Sequence, residues 1–354
     1  MKKNIVSILC PSYNHERFVG FFINSLLQQT NPNWELIIVD DCSTDNNVAE
    51  IKKFSDKRIK LIQNPFNMGI NCGLNKAFEI SSGQYISFCA SDDMLCSDYV
   101  QNVFDLFEQN PDKSLLYCDL QIIDNDNKPL ERCFYNPCES RYKVLHKLFM
   151  CGNWPLSPGM VAKRDLFEKI MPLDIPLSMY QDYKMHIDLL LLSDFMVMSK
   201  KSVLYRKATD QSGLSGSNEV NPIRQQLEEN LLMDSFLKIK DPVVLRKIFN
   251  EELINYETID KRTIPFVLGM LAMKSSERFK RVWGFNQISK FINSQDNYTL
   301  VHKVYGFSYK DFLGLARLVG EDLMTQKYRK YKKLFNVMAV ISAVLFILCV
   351  TLVI

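Results

Sequence analysis

The sequence predicts an α/β fold, a mostly parallel sheet flanked by helices, followed by a helical region and one C-terminal transmembrane helix. Three observations predict it. Short apolar runs alternate with amphipathic segments through the first two hundred residues. Several of those runs end in carboxylates. From Leu334 to Ile354 no residue is charged, and only Asn336, Ser342 and Thr351 are polar.

The elements follow in order. Ile5–Cys10 is an apolar strand. Phe18–Gln29 has helical spacing, with Phe18, Phe22 and Leu26 on one face. Trp34–Val39 is a second strand and ends in Asp40-Asp41. Asn46–Phe54 reads as a short helix, Ile59–Ile62 as a strand and Ile70–Ile80 as a helix. Tyr85–Ala90 is the next strand and runs into Ser91-Asp92-Asp93. Tyr99–Phe107 is helical, and Leu115–Ile123 is a strand. Alternation of this kind builds a parallel sheet with helices on both faces, and ligands sit outside the carboxyl ends of its strands. Pro11-Ser12-Tyr13, Asp40-Asp41 and Asp92-Asp93 therefore converge on one crevice.

Beyond about Ser217 the alternation stops. Helical segments follow, among them Pro222–Phe236 and Val243–Tyr256, with Pro265, Gly284 and Gly306 as candidate breaks. The expected organisation is a catalytic α/β domain over 1–217, a helical connector over 218–333 and a membrane span over 334–354. An apolar helix of that length matches the hydrocarbon core of a bilayer. Lys327, Arg329, Lys330, Lys332 and Lys333 precede it, with Tyr328 and Tyr331 among them. Basic flanks stay cytoplasmic. The expectation is a single-pass inner-membrane protein with its bulk in the cytoplasm; the alternative for the span is a buried oligomerisation helix.

Composition narrows the function. Of 354 residues, 47% are hydrophobic and 23% charged, enough for a globular core. A net charge of +3 gives no basic stripe for nucleic acid. The ten cysteines form no CxxC pair, which argues against a zinc site and a disulfide framework. There is no GxxxxGK[ST] phosphate cradle and no GxGxxG after the first strand. A parallel α/β crevice with carboxylates at several strand ends suits a nucleotide-diphosphate ligand bound through a metal, and without a glycine nest the diphosphate charge must be offset by a cation. The Asp92-Asp93 pair is suited to Mg²⁺ or Mn²⁺, which take oxygen ligands together with substrate phosphates. Tyr13 offers an aromatic face to a base, and Asp41 an acceptor for an imide N–H. Each has a structural alternative: Tyr13 as core, Asp41 as a helix cap, Asp92-Asp93 as an Asp-rich turn.

The run Val6-Ser7-Ile8-Leu9-Cys10-Pro11-Ser12-Tyr13-Asn14 resembles the opening of family 2 glycosyltransferases of the Rossmann-like GT-A fold. Ser25-Leu26-Leu27-Gln28-Gln29-Thr30 and Glu35-Leu36-Ile37-Ile38-Val39-Asp40-Asp41-Cys42-Ser43-Thr44-Asp45 continue the resemblance. Asn67-Met68-Gly69, Asn75-Lys76-Ala77 and Ser82-Gly83-Gln84-Tyr85-Ile86 extend it in order, and it covers about residues 4 to 215.

The resemblance implies a nucleotide-sugar donor. It places Tyr13 on the base, Asp41 on its imide, Asp92 on the ribose, Asp93 on a divalent metal and Pro11 along the base pocket. It makes Asp182, in Tyr180-Gln181-Asp182-Tyr183, the general base, with an N-cap as the alternative. It sets Trp154 against an acceptor sugar, or else in the core, and Arg206 against the diphosphate, or else on the surface. A serine-containing loop, Gln211–Ser215, follows. The chain departs from the family pattern at Ala90, Gln181 and Asp188. The expected activity is inverting, metal-dependent transfer from a UDP- or dTDP-sugar to a saccharide, polyprenyl-linked at the membrane, for surface polysaccharide. The alternatives are an inactive nucleotide-sugar-binding scaffold and, less well matched, a nucleotidyltransferase.

Overall fold

A parallel strand buried on both faces needs apolar side chains at successive positions, and the first strand has them. Val6, Ile8, Leu9 and Cys10 are all buried. In the computed structural model, which describes residues 3–136, 138–207, 221–320, 331, 332, 335 and 338, this strand is β1, Lys3–Ser12. It is followed by α1 (Val19–Leu27), β2 (Trp34–Asp40), α2 (Asn47–Ile51), β3 (Ile59–Gln63), α3 (Ile70–Ile80) and β4 (Gly83–Phe88). Then come β5 (Met94–Leu95), α4 (Tyr99–Gln109), β6 (Leu115–Ile123), β7 (Pro129–Phe134), α5 (Arg141–Met150) and β8 (Val161–Lys163). The order continues with α6 (Arg164–Phe167), α7 (Gln181–Leu192), β9 (Phe195–Arg206), α8 (Asn221–Leu232) and α9 (Pro242–Ile248).

The sheet runs β3-β2-β1-β4-β8-β6-β9-β5, with β7 paired to β6. Its first half is parallel, as the alternation implies. Its second half is mixed. The short β8 lies antiparallel between β4 and β6, β9 runs parallel to β6, and β5 and β7 pair antiparallel at its margins. The expectation of a mostly parallel sheet is corrected to that extent. Strands as short as β5 and β8 carry too few residues to show a period. Val6, Ile8 and Cys10 pack with Leu36, Ile38, α1 (Val19, Phe22, Ile23, Leu26) and α4 (Tyr99, Val100, Val103) in one core.

The chain divides into two compact units, Met1–Leu253 and Ile254–Ile354. The helical stretch after 217 is shared between them. α9 ends at Ile248, short of the expected Tyr256. The second unit contains α10 (Ile264–Ala272), α11 (Arg278–Ile292), α12 (Gln295–Tyr305) and α13 (Tyr309–Gly320). Pro265 sits in the first turn of α10, where a missing N–H costs nothing. Gly284 does not break a helix. It lies inside α11 at a close crossing, where a Cβ would come within 2.6 Å of the Gly269 carbonyl oxygen.

The transmembrane helix expected over 334–354 is withdrawn. Among the described residues no helix is long and apolar enough to cross a membrane. Within that stretch only Phe335 and Met338 are described, both exposed. Lys327, Arg329, Lys330, Lys333 and the Gln211–Ser215 loop also lie outside the described residues.

The carboxyl ends of three strands are tied by a buried polar chain. Asn47 at the start of α2 donates through Nδ2 to Asp40 Oδ1 (2.7 Å) and to Ser12 Oγ (2.8 Å). Ser91, just past β4, donates to Ser12 Oγ at 2.8 Å and meets His15 Nδ1 at 2.7 Å. Asp41 N donates to Ser12 O at 2.9 Å. Removing the shared donor leaves the buried Asp40 Oδ1 unpaired and Ser12 Oγ with Ser91 alone. Asn47→Leu is therefore expected to lower unfolding free energy by about 2 kcal/mol in urea titration.

Candidate active site

Asp41 is a loop organiser. Its Oδ1 accepts from Asn64 Nδ2 and Met68 N, both at 2.7 Å, and its Oδ2 from Gly69 N at 2.8 Å. Gly69 holds φ at +85°, a conformation that side-chain-bearing residues rarely adopt. The residue at the start of α2 is Asn46, so Asp41 does not cap that helix. Tyr13 is 43% exposed just past β1 and is not core. Pro11, on β1, is half-buried and registered against Val39.

Asp93 is 1% exposed. Its Oδ1 accepts from Arg206 N at 2.9 Å, while its Oδ2 is buried with no hydrogen-bond partner. Burial first, and then the neighbouring Asp92, hold its carboxyl well above the usual range; Arg206 opposes the shift. An orphaned carboxyl oxygen beside a second carboxylate is a fit for a divalent cation. Among the described residues no three acidic, His or Cys groups cluster as a ready-made metal cage. A cation here would thus need other ligands, as Mg²⁺ does when substrate phosphates supply them.

Arg206 is 3% exposed, neither on the surface nor a free cation. Its Nε donates to Asp92 O at 2.7 Å, and its other nitrogens to Asp124 O and Asn127 Oδ1. It clamps the Asp92-Asp93 turn to the loop after β6, and its guanidinium lies 4.5 Å from the Phe18 ring centroid.

Asp182 stands in the first turn of α7, two residues past the N-cap Tyr180, so it is not the cap. Its Oδ1 accepts from Tyr183 N (2.7 Å) and Asn153 Nδ2 (3.2 Å), and its Oδ2 from Ser157 Oγ (3.1 Å). Burial raises its carboxyl above the ordinary range, although these bonds favour the ionised form. Trp154, beside Asn153, is 51% exposed and not core. Lys147 Nζ lies 4.7 Å from its ring centroid.

Tyr205 joins the halves of the site. Its phenol is pushed up to about 12, mainly by burial and then by the charges of Asp93, Asp92 and Asp182. The charges of carboxylates from the β4 end and the α7 start thus act on one side chain.

Residues 7–162 match the family model described as Glycosyl transferase family 2. Over 226 residues the chain is 30% identical to the Escherichia coli protein WfgD, a UDP-Glc:alpha-D-GlcNAc-diphosphoundecaprenol beta-1,3-glucosyltransferase, covering 64% of this chain and 85% of that one. The chain belongs to glycosyltransferase family 2. A putative teichuronic acid biosynthesis glycosyltransferase of Bacillus subtilis, TuaG, is 31% identical over 137 residues, which cover 38% of this glycosyltransferase and 54% of TuaG. The crystal structure of S. aureus TarS 1-349 in complex with UDP-GlcNAc matches with a TM-score of 0.57 at 18% identity, covering 86% of this chain and 93% of that one. That likeness establishes a GT-A-like α/β fold with a helical C-terminal region.

Of the three departures from the family pattern, Asp188 has a local structural answer in this glycosyltransferase, and Ala90 and Gln181 have none. Asp188 is buried and held by Lys184 (2.7 Å) and Lys238 (2.6 Å). Gln181 leaves its Oε1 buried without a partner. Sequence reading assigned no role to Ser12, His15, Asn64, Ser91, Asn153, Ser157 or Tyr205. Ser12, Ser91, Asn153 and Tyr205 each adjoin a flagged position, at Pro11 and Tyr13, Asp92, Trp154 and Arg206, and that adjacency is the one signal that could have found them.

A carboxyl whose folded pKa is raised binds its proton more readily in the native state. Its stabilising contribution is present below the unfolded pKa and lost as pH rises through the folded value. Asp93→Asn is therefore expected to raise the melting temperature at pH 8 in chelator, and the gain should shrink toward pH 5. A gain independent of pH would exclude the charge as its cause.

Proposed function

We propose that this chain catalyses inverting, metal-dependent transfer of a sugar from a UDP- or dTDP-sugar to a hydroxyl of a lipid-linked saccharide in polysaccharide synthesis. The observation that carries this reading is the buried, unpartnered Oδ2 of Asp93 beside Asp92, with the charges of Asp92, Asp93 and Asp182 all acting on the Tyr205 phenol. WfgD, named for a UDP-Glc donor and a diphosphoundecaprenol-linked acceptor, and TarS, crystallised with UDP-GlcNAc, support the donor and acceptor classes. A polyprenyl-linked acceptor is confined to a bilayer, so the reaction would occur at a membrane surface. A transmembrane anchor forms no part of the proposal.

The exposed Tyr13 ring stacks on the base, with Pro11 beside it. Asp41 Oδ2 carries one protein hydrogen bond and has capacity for the base imide N–H. Asp92 meets the ribose. Asp93, with its unpartnered Oδ2, would hold Mn²⁺ or Mg²⁺, which when bound supplies Lewis-acid stabilisation of the leaving diphosphate. Arg206 acts by fixing the Asp92-Asp93 turn. Trp154 offers its exposed face to an acceptor sugar. Asp182 takes the acceptor hydroxyl proton; the freed oxygen pair attacks the anomeric carbon as the bond to the diphosphate oxygen breaks. A single displacement inverts the centre.

UDP release from UDP-glucose and UDP-N-acetylglucosamine tests the assignment, with water or a synthetic GlcNAc-diphosphate-lipid as acceptor. Asp182→Asn is expected to lower kcat by roughly 10²–10⁴-fold while donor binding persists. Wild-type turnover in that variant would remove the base. Asp93→Ala is expected to abolish metal-stimulated turnover, and equal activity would remove the metal role.

The base must be ionised to accept a proton. Activity should fall as pH drops through the raised Asp182 pKa, which puts the acid limb of kcat above the ordinary value of 3.8. Ser157→Ala removes a hydrogen bond that favours the ionised form, so that limb should move to higher pH. A limb that stays in place on this substitution would separate it from Asp182.

A further inference from the structure

Glu228, on α8, is a carboxylate that the scheme above leaves unused. It is 4% exposed. Its Oε1 accepts from Ser178 Oγ at 2.9 Å and from Ser178 N at 3.1 Å. Its Oε2 accepts from Ser178 N (3.1 Å), Met179 N (2.8 Å) and Tyr180 N (2.9 Å). Three successive backbone N–H groups converging on one anion form a nest, the arrangement that proteins use to bind phosphates and carboxylates. Here the anion comes from a helix some fifty positions further along the chain.

The nest sits immediately before the base. Tyr180 is the N-cap of α7 and makes no side-chain capping bond to the first turn. Helix starts leave N–H groups unsatisfied and favour a nearby anion. Glu228 places its charge just ahead of the helix, takes the N–H of the cap residue Tyr180, and fixes the turn from which Gln181 and Asp182 emerge. The geometry of Asp182 is demanding, because its oxygens must reach Asn153 and Ser157 on a different loop at 3.2 and 3.1 Å. A shift of the 178–180 turn moves the carboxylate relative to both.

We propose that Glu228 is a positioning residue for sugar transfer: its carboxylate, seated on the 178–180 amides, sets the place of the base Asp182. The inference rests on Asp182 being the base. It assigns the segment after 217 a part in catalysis, because α8 carries the clamp.

The test is UDP release by Glu228→Ala, Glu228→Gln and Asp182→Asn, with the donor concentration varied and sodium acetate added or withheld. Misplacing a catalytic group by about an ångström can cost up to about a hundredfold, so Glu228→Ala should lose about ten- to a hundredfold in kcat, with donor KM within about twofold. Acetate, which fits the vacated nest, should restore part of kcat in Glu228→Ala and do nothing for wild type. Glu228→Gln, which turns an amide donor toward the same N–H groups, should be impaired despite its matching size. Should Glu228→Ala fail to fold, Glu228→Gln is judged on the split between kcat and KM alone. Unchanged kcat would overturn the proposal. So would a loss in which kcat and donor affinity fall together with the melting temperature and acetate has no effect, since that is the signature of a merely structural contact. Full activity in Asp182→Asn refutes the base itself; an inactive Asp182→Asn beside a fully active Glu228→Ala refutes only the clamp.

Discussion

The cost of holding a carboxylate inside the protein governs this site. Asp93 is almost completely buried with one oxygen unpaired, next to a second carboxylate. An isolated buried charge is expensive enough that a group commonly shifts its pKa instead. The surrounding structure moderates that cost without removing it: the Arg206 amide bonds one oxygen, and its guanidinium pins the adjacent backbone. The remaining deficit leaves one carboxyl oxygen of Asp93 without a partner and its pKa well above the usual carboxylate range.

A second constraint follows from the first. Charged groups at the ends of different strands act together only if the strand ends are rigidly related. Ser12 does this, taking hydrogen bonds from Asn47 and Ser91 on its side chain and from the Asp41 amide on its backbone. Glu35 plays a comparable part at the opposite ends of the strands, bonding Ser7 (2.7 Å) and Lys60 (2.9 Å). Its carboxyl is held below the usual range because these bonds and that of Ser82 outweigh its burial. The two acids differ because Glu35 has hydrogen-bond partners for both oxygens and a lysine beside it, whereas Asp93 is fully buried next to a second carboxylate with one oxygen bare.

Much of the first half of the chain was legible. Ile70–Ile80 and Leu115–Ile123 coincide with α3 and β6, because long elements with a steady apolar period leave little ambiguity. The second half of the sheet was not. β8 has three residues and β5 two, and β7 is exposed along nearly its whole length, so none shows an alternation that sequence can reveal. Roles were less legible than positions. Arg206 looked like a cation for a ligand because a lone arginine carries no sign of its partners; its carbonyl acceptors at Asp92 and Asp124 belong to distant turns. Asp188 looked like a defect because its two lysines, Lys184 and Lys238, include one fifty positions away.

Sequence alone determined the α/β class, the order of the first strands and helices, and the residue types at the strand ends, because these are local: periodicity and a carboxylate after an apolar run need no distant partner. Tertiary structure decided which oxygens are satisfied and which are left bare, that the sheet turns mixed beyond β4, that Asp41 orders its own loop, and that Asp182 shares its surroundings with Asp92 and Asp93. Those outcomes depend on burial and on hydrogen bonds between residues far apart in the chain. Desolvation is a property of the assembled fold and is written in no single stretch of sequence.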